Sequence, residues 1–174
     1  MEEEKIGITS NLVWKEFELA FCYAKQIRIY TDKRRKWNRW ANWLVITLVC
    51  ATSFSFLFEG YYSIICSVIS SVAIIVKEVS PAFKQTEYEL SSLDKSADFF
   101  AEYQIDMEQI YLELMFGYTT PDICYKHFFE LKKRSANYFS NVNKFYRGVS
   151  KKEKISVKQE LDNYATRFEN NESE

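Results

Sequence analysis

Residues 41–58 read ANWLVITLVCATSFSFLF and residues 61–76 read YYSIICSVISSVAIIV, with only Glu59 and Gly60 between them. Neither run contains an Asp, Glu, Lys or Arg. As helices, at about 1.5 Å per residue, the two runs are roughly 24–28 Å long, close to the thickness of a hydrocarbon core. Insertion is favourable by about 0.3–0.6 kcal/mol for each Leu, Ile, Phe or Val, or roughly 3–5 kcal/mol for each run. A single charge at mid-depth costs about 3 kcal/mol on the same scale, so the absence of charge makes insertion plausible. The Ile/Val content of the second run also suits a strand. A two-stranded ribbon in lipid would leave its edge N–H and C=O groups unpaired, which leaves two helices. The sequence therefore predicts a transmembrane hairpin over 40–79, with arms at about 40–58 and 61–79.

Small and hydroxylated residues recur within the runs at helical spacing: Thr47, Ala51 and Ser55 in the first, Ser63, Ser67 and Ser71 in the second, with Ser70 beside them. Residues four apart share one face of a helix. Such a face either packs closely against another helix or lines a water-filled pore, and both readings stay open. One hairpin cannot enclose a pore, so conduction requires a homo-oligomer, a tetramer or larger ring. The runs hold no carboxylate ring, which argues against strong ion selectivity or proton coupling.

Just before the first run stand Lys33, Arg34, Arg35, Lys36 and Arg39, interleaved with Trp37 and Trp40 and followed by Trp43. Basic residues with aromatics can bind nucleic acid. Beside an apolar run the membrane explains them better, with cations retained on the cytoplasmic side and Trp at the interface. Lys77 and Lys84 follow the second run, while the tip carries only Glu59. Both termini are thus expected in the cytoplasm.

Upstream, 1–39 is expected to hold a loose acidic start, caps at Thr9, Ser10 or Asn11, and an amphipathic helix. Its stripe is Val13, Phe17, Ala20, Ala24 and Ile27, with Trp14 and Phe21 alongside. That stripe reads as bundle core, with a membrane-surface helix as the alternative. Downstream, 80–168 is expected to form a cytoplasmic helical bundle or coiled coil. Its first helix carries Leu90, Leu93, Ala97, Phe100, Gln104, Met107, Tyr111 and Leu114. Gly117 should stop it, and Thr120, Pro121 and Asp122 should start the next, which carries Phe128, Leu131, Ser135, Tyr138, Val142, Phe145 and Val149. Gly148 should end that helix. Ser150 with Glu153 reads as a capping box for a last helix with Val157, Leu161, Tyr164 and Phe168, and 169–174 as a disordered tail.

Charge divides unevenly over this half. Between 78 and 122 it is acidic except at Lys84 and Lys95; between 126 and 158 it is basic except at Glu130 and Glu153. The simplest account packs an acidic helix against a basic one. A second account makes Lys132, Lys133, Arg134, Lys144, Arg147, Lys151, Lys152 and Lys154 a patch for an anionic ligand, such as a nucleotide or nucleic acid, or for a partner. Contact with anionic lipid headgroups is a third.

The 174-residue chain has four Gly and two Pro, which argues for few, long elements and an all-α fold. Its mean hydropathy is slightly negative, so most of it lies outside lipid. The apolar run begins too late for a cleaved signal peptide. Cys22, Cys50, Cys66 and Cys124 show neither disulfide nor zinc spacing, and His127 is the only histidine. With no phosphate loop, nucleophile elbow or metal motif, neither enzyme activity, cofactor nor metal is expected. A soluble bundle burying the apolar runs is the remaining alternative.

The arrangement resembles the SLATT family, small two-transmembrane effectors associated with bacterial nucleotide-signalling and defence systems. The likeness rests on the helix ELAFCYAKQIRIY, the junction DKRRKWNRWANW, the tight hairpin and the helix QTEYELSSLDKSADFFAEYQID, and covers nearly the whole chain. These are patterns rather than an invariant signature. The resemblance implies a pore-forming anti-phage effector that permeabilises the inner membrane when a separate sensor, nucleotide or nucleic-acid signal triggers it. Companion proteins would be nucleotidyltransferases or reverse transcriptases. A non-conducting membrane scaffold that recruits a soluble partner is the alternative.

Overall fold

A computed structural model describes residues 2–54, 68–69, 71–72, 75 and 85–171, without the side chains of 2–6, 8, 51–54 and 167–171. Among these residues the chain is helical with no strand. The helices are α1 (Glu2–Phe54), α2 (Glu87–Met115), α3 (Pro121–Phe145) and α4 (Lys151–Asn171), with further helical residues at 68–69, 71–72 and 75. The all-α expectation holds. The arms of the hairpin beyond Phe54 fall largely outside the described residues. Among those that are described, no helix is long and apolar enough to cross a membrane.

The chain divides into two compact units, one of Met1–Thr31 with Ser91–Glu174, the other of Asp32–Leu90. The first is a bundle that includes the N-terminal segment, so the division drawn at 39/40 does not separate that segment from the downstream helices. Its stripe of Val13, Phe17, Ala20, Ala24 and Ile27 is buried, and Tyr30 extends it by one turn. On α2 the buried line is Leu93, Ala97, Phe100, Tyr103, Met107, Ile110 and Leu114. The expected Gln104 and Tyr111 are displaced to the margin: Tyr103 and Ile110 share the face of Phe100 and Met107, and apolar burial selects them. Phe128, Leu131, Ser135 and Val142 of α3 and Val157 and Leu161 of α4 complete the interior, flanked by partly buried Tyr138, Phe145 and Tyr164.

Aromatic rings join the bundle helices. Phe99 of α2 stacks on Tyr138 of α3 at 3.9 Å and 4°, and Phe100 meets Phe139 at 4.8 Å. On the α1 side, Tyr23 stacks on Phe100 at 5.3 Å, and Phe17 lies 5.7 Å from Tyr164 of α4. The acidic α2 does pack on the basic α3, and rings make that contact. Ion pairs tie α1 to each of the other helices: Glu16 with Lys132, Lys25 with Glu160 and Arg28 with Asp98. Exposed pairs contribute about 0–1 kcal/mol, less than the burial of one ring, so the aromatic contacts decide which faces meet.

The helix ends show which sequence signals acted. Gly117, at φ 69°, closes α2: Tyr118 N donates to Glu113 O at 3.0 Å and Gly117 N to Leu114 O at 3.3 Å, the two bonds of a Schellman stop. Thr86 and Glu89 form a capping box on α2 at 3.0 and 3.2 Å, and Ser150 with Glu153 forms the expected one on α4. Thr120 occupies the cap of α3 without a side-chain bond; its carbonyl accepts from Ile123 and Cys124 while Pro121 fills the first helical position.

Three boundaries differ from expectation. α1 starts at Glu2 and runs through Thr9, Ser10 and Asn11, because the chain has no Gly or Pro between Gly7 and Gly60 to break it. Ser10 Oγ donates to Gly7 O at 3.1 Å inside that helix instead of capping it. α3 ends at Phe145, ahead of Gly148, and α4 continues to Asn171 through part of the expected tail.

Candidate functional site

Within the unit Asp32–Leu90, α1 presents Lys33, Lys36, Arg39 and its tryptophans to solvent. Trp37, Trp40 and Trp43 are 57%, 66% and 69% exposed, and Ile46 and Val49 continue the uncovered apolar surface along the helix at 54% and 49%. Val68, Val72 and Ile75, spaced four and three apart, are likewise 58%, 48% and 60% exposed. Single exposed apolar residues are ordinary, but a run of this extent marks a surface that another apolar phase or protein covers.

Arg35, Asn38, Arg39 and Asn42 fall on one face of α1 and, with Gln85, Thr86 and Glu87, line a cleft of about 530 Å³. Arg35 donates to Glu87 at 3.1–3.2 Å, and Asn38 Nδ2 donates to the Gln85 carbonyl at 3.0 Å. Asn38 Oδ1 is buried there and accepts no hydrogen bond. Arg39 keeps an exposed guanidinium with no ion pair among the described residues. Of these, only Arg35 and Arg39 were singled out from the sequence; the i, i+3, i+4, i+7 spacing of the four helix residues is the signal that finds the asparagines. Arg34 is partly covered, Lys36 is exposed, and Lys77 lies outside the described residues.

Of the small-residue stripes, Thr47 is exposed and its Oγ1 donates to Trp43 O at 2.9 Å, so its proton is used within the helix. Ala51 lies in α1, its side chain outside the described set. Ser71 is helical and exposed, while Ser55, Ser63, Ser67 and Ser70 lie outside the described residues.

The cations expected to form one anionic-ligand patch occupy three places: Lys132, Lys133 and Arg134 in mid-α3; Lys144 and Arg147 at its end; and Lys151, Lys152 and Lys154 in the first turn of α4. Lys132 is withdrawn from that role. It is paired with Glu16, which also accepts from Tyr103 at 3.4 Å, and it lies 5.5 Å from the Phe128 ring centre. Lys144 sits 5.1 Å from the Phe145 centroid. The others are exposed, and Lys132 and Lys133 border a shallow groove of about 510 Å³ with Phe129 and Glu130.

Burial, with Glu18 adding to it, pushes the Cys22 thiol up, and burial does the same to Cys124 with a contribution from Glu113. Neither has the thiolate character that a nucleophile needs. Among the described residues no group of three or more His, Cys, Asp or Glu side chains converges to hold a metal.

Three phenols are shifted in the same direction, first by burial and then by neighbouring groups: Tyr103 well above its ordinary value of 10, and Tyr146 and Tyr164 to about 12. Tyr164 Oη donates to Glu108, and Tyr146 Oη to Gln26 Oε1 at 3.1 Å. A raised folded value means that the neutral phenol stabilises the fold. That contribution is complete below pH 10 and is lost as pH rises through about 12. Stability should therefore fall across pH 10–12, and Tyr164→Phe should flatten part of that fall, as read by chemical denaturation alongside tyrosinate absorbance.

No family model, curated protein or solved structure matches the chain.

Proposed function

We propose that this protein is an oligomeric membrane effector of bacterial anti-phage defence, which permeabilises the inner membrane on a signal from a separate sensor, nucleotide or nucleic acid. The observation that carries the membrane part is the uncovered apolar surface of Trp40, Trp43, Ile46 and Val49, beside the cations 33–36 and Arg39 and leading into a charge-free run. Tryptophan at the headgroup level, cations on the cytoplasmic side and aliphatic residues deeper is the order a bilayer selects. The effector part rests on the resemblance to the SLATT pattern. Thr47, Ala51, Ser55, Ser63, Ser67, Ser70 and Ser71 are its proposed packing or pore-lining residues, and the α1–α4 bundle is its cytoplasmic portion.

Induced expression in bacteria, followed with a membrane-potential dye, tests this reading. Depolarisation, with expression alone or with the cognate trigger, is expected; an unchanged potential under both conditions removes the pore. Ser67→Trp should block conduction if that face lines the pore.

The exposed cations of α3 and α4 favour a second reading, a non-conducting anchor that recruits a soluble acidic partner through the bundle. Ion flux from liposomes carrying the purified chain separates the two: the anchor integrates and leaks nothing.

A further inference from the structure

The side of α1 that lines the cleft continues beyond it. Arg35, Arg39, Asn42, Ile46 and Val49 follow one another in steps of four and three, so they share one face of the helix. Along that face the chemistry changes in order, from two guanidiniums through an amide to two exposed aliphatic side chains.

The walls of the cleft leave one charge uncompensated. Asn38 Nδ2 donates to the Gln85 carbonyl at 3.0 Å and so ties α1 to the residues that precede α2. Two carboxylates stand near, and both are engaged: Glu87 accepts from Arg35 at 3.1–3.2 Å, and Glu89 accepts from the Thr86 N–H at 3.0 Å. Arg39 has no ion pair among the described residues, and its guanidinium lines the cleft. Thr86 Oγ1 accepts from Glu89 N at 3.2 Å, a bond that does not use the hydroxyl's own proton.

One guanidinium with an amide and a hydroxyl beside it is a donor set for a single negative charge shared between two oxygens, which is a phosphodiester. The cleft's volume of about 530 Å³ falls in the range of roughly 300–1,000 Å³ common to small-molecule sites. Among the described residues no aromatic ring lines it, so a nucleobase would find no stacking platform there. Ile46 and Val49 instead extend the face by about 10 and 15 Å from Arg39, a path for a hydrocarbon chain. Trp40 and Trp43, beside Arg39 and Asn42 in the chain, set this depth at the headgroup level in the orientation proposed above.

We propose that the cleft binds the phosphodiester of a membrane phospholipid, with Arg39 as its cation, Asn42 and Thr86 as neutral donors, and an acyl chain laid along Ile46 and Val49. Arg35, Asn38 and Glu87 act as positioning residues that hold the cleft's two sides together. This inference rests on the membrane part of the proposed function and not on the pore.

Native mass spectrometry of the full chain in a nonionic detergent, titrated with phosphatidylglycerol, tests it. The wild type should retain one lipid per chain ahead of any further binding. Arg39→Gln should weaken that binding by about tenfold or more, as expected for loss of a charge-assisted hydrogen bond. Lys33→Gln removes the same charge from an exposed position about 200° around the helix from Arg35, and should bind as the wild type does. Glycerophosphoglycerol, the same headgroup without acyl chains, should compete less well by on the order of a hundredfold, because it buries no hydrocarbon. Circular dichroism checks that helix content is unchanged in both variants. No retained lipid, Arg39→Gln binding like the wild type, or an equal loss in Lys33→Gln would overturn the site, the last by showing diffuse attraction to any cation. Glycerophosphoglycerol competing as well as the lipid would overturn the lipid and leave a soluble phosphodiester as the ligand. All of these are read in detergent, so they fail separately from the membrane reading, which carbonate extraction of the wild type tests by itself.

Discussion

Phe100→Ala should destabilise the bundle by about 3–5 kcal/mol. The ring is fully buried and joins α2 to two other helices: it meets Tyr23 of α1 at 5.3 Å and Phe139 of α3 at 4.8 Å, beside its α2 neighbour Phe99 at 5.7 Å. Removing it deletes the transfer free energy of a phenyl group and opens a space that three separate elements would have to move to fill. Aromatic pairing adds about 0.5–1.5 kcal/mol per contact beyond the buried area. Against a typical total of about 5–15 kcal/mol, that loss leaves a substantial unfolded fraction. Phe129→Ala, on an exposed ring of the same type, should change stability by no more than about 0.5 kcal/mol. Urea denaturation of the two variants measures the contrast. Equal losses would mean that burial of Phe100 is not what joins the three helices.

That core was largely readable in advance, and the physical reason is periodicity. Val13, Phe17, Ala20, Ala24 and Ile27 obey the three-and-four spacing, and all are buried. Capping signals worked where both partners stand three residues apart, as in Ser150 with Glu153. They failed at Thr9, Ser10 and Asn11, where an unbroken run of helix-compatible residues carried α1 straight through. Local spacing carries no information about partners distant in the chain. Lys132 belongs by sequence to a basic cluster, but Glu16, 116 positions away, holds it. The division into acidic and basic segments points to α2 packing on α3, but it does not reveal that Phe99 on Tyr138 and Phe100 on Phe139 make the contact. Likewise Asn38 drew no notice as a single polar residue in a basic stretch. Its place in the cleft follows from a bond to Gln85, 47 positions downstream.

Ile46→Lys combined with Ile69→Lys, one lysine in each apolar run, should remove the chain from the membrane while leaving the bundle intact. Ile46 is 54% exposed in the unit Asp32–Leu90, so the substitution sacrifices little packing and should alter bundle stability by no more than about 0.5 kcal/mol. In lipid the change is far larger. A favourable contribution of up to about 0.6 kcal/mol becomes a cost of about 3 kcal/mol near mid-depth, a swing of roughly 3–4 kcal/mol. Each run gains only about 3–5 kcal/mol from insertion, so one lysine in each nearly cancels both. Trp43→Phe, which keeps an aromatic ring at the proposed headgroup level and adds no charge, should leave insertion unchanged. Carbonate extraction of membranes reads the difference directly: wild type and Trp43→Phe in the pellet, the doubly substituted Ile46→Lys/Ile69→Lys chain in the supernatant. If the doubly substituted chain remains in the pellet with wild type, the two runs do not have lipid as their solvent. If wild type itself is extracted, the exposed Trp40, Trp43, Ile46 and Val49 are instead a surface for another protein. The first arm of the hairpin would then be a docking helix, and the pore that depends on it would go too.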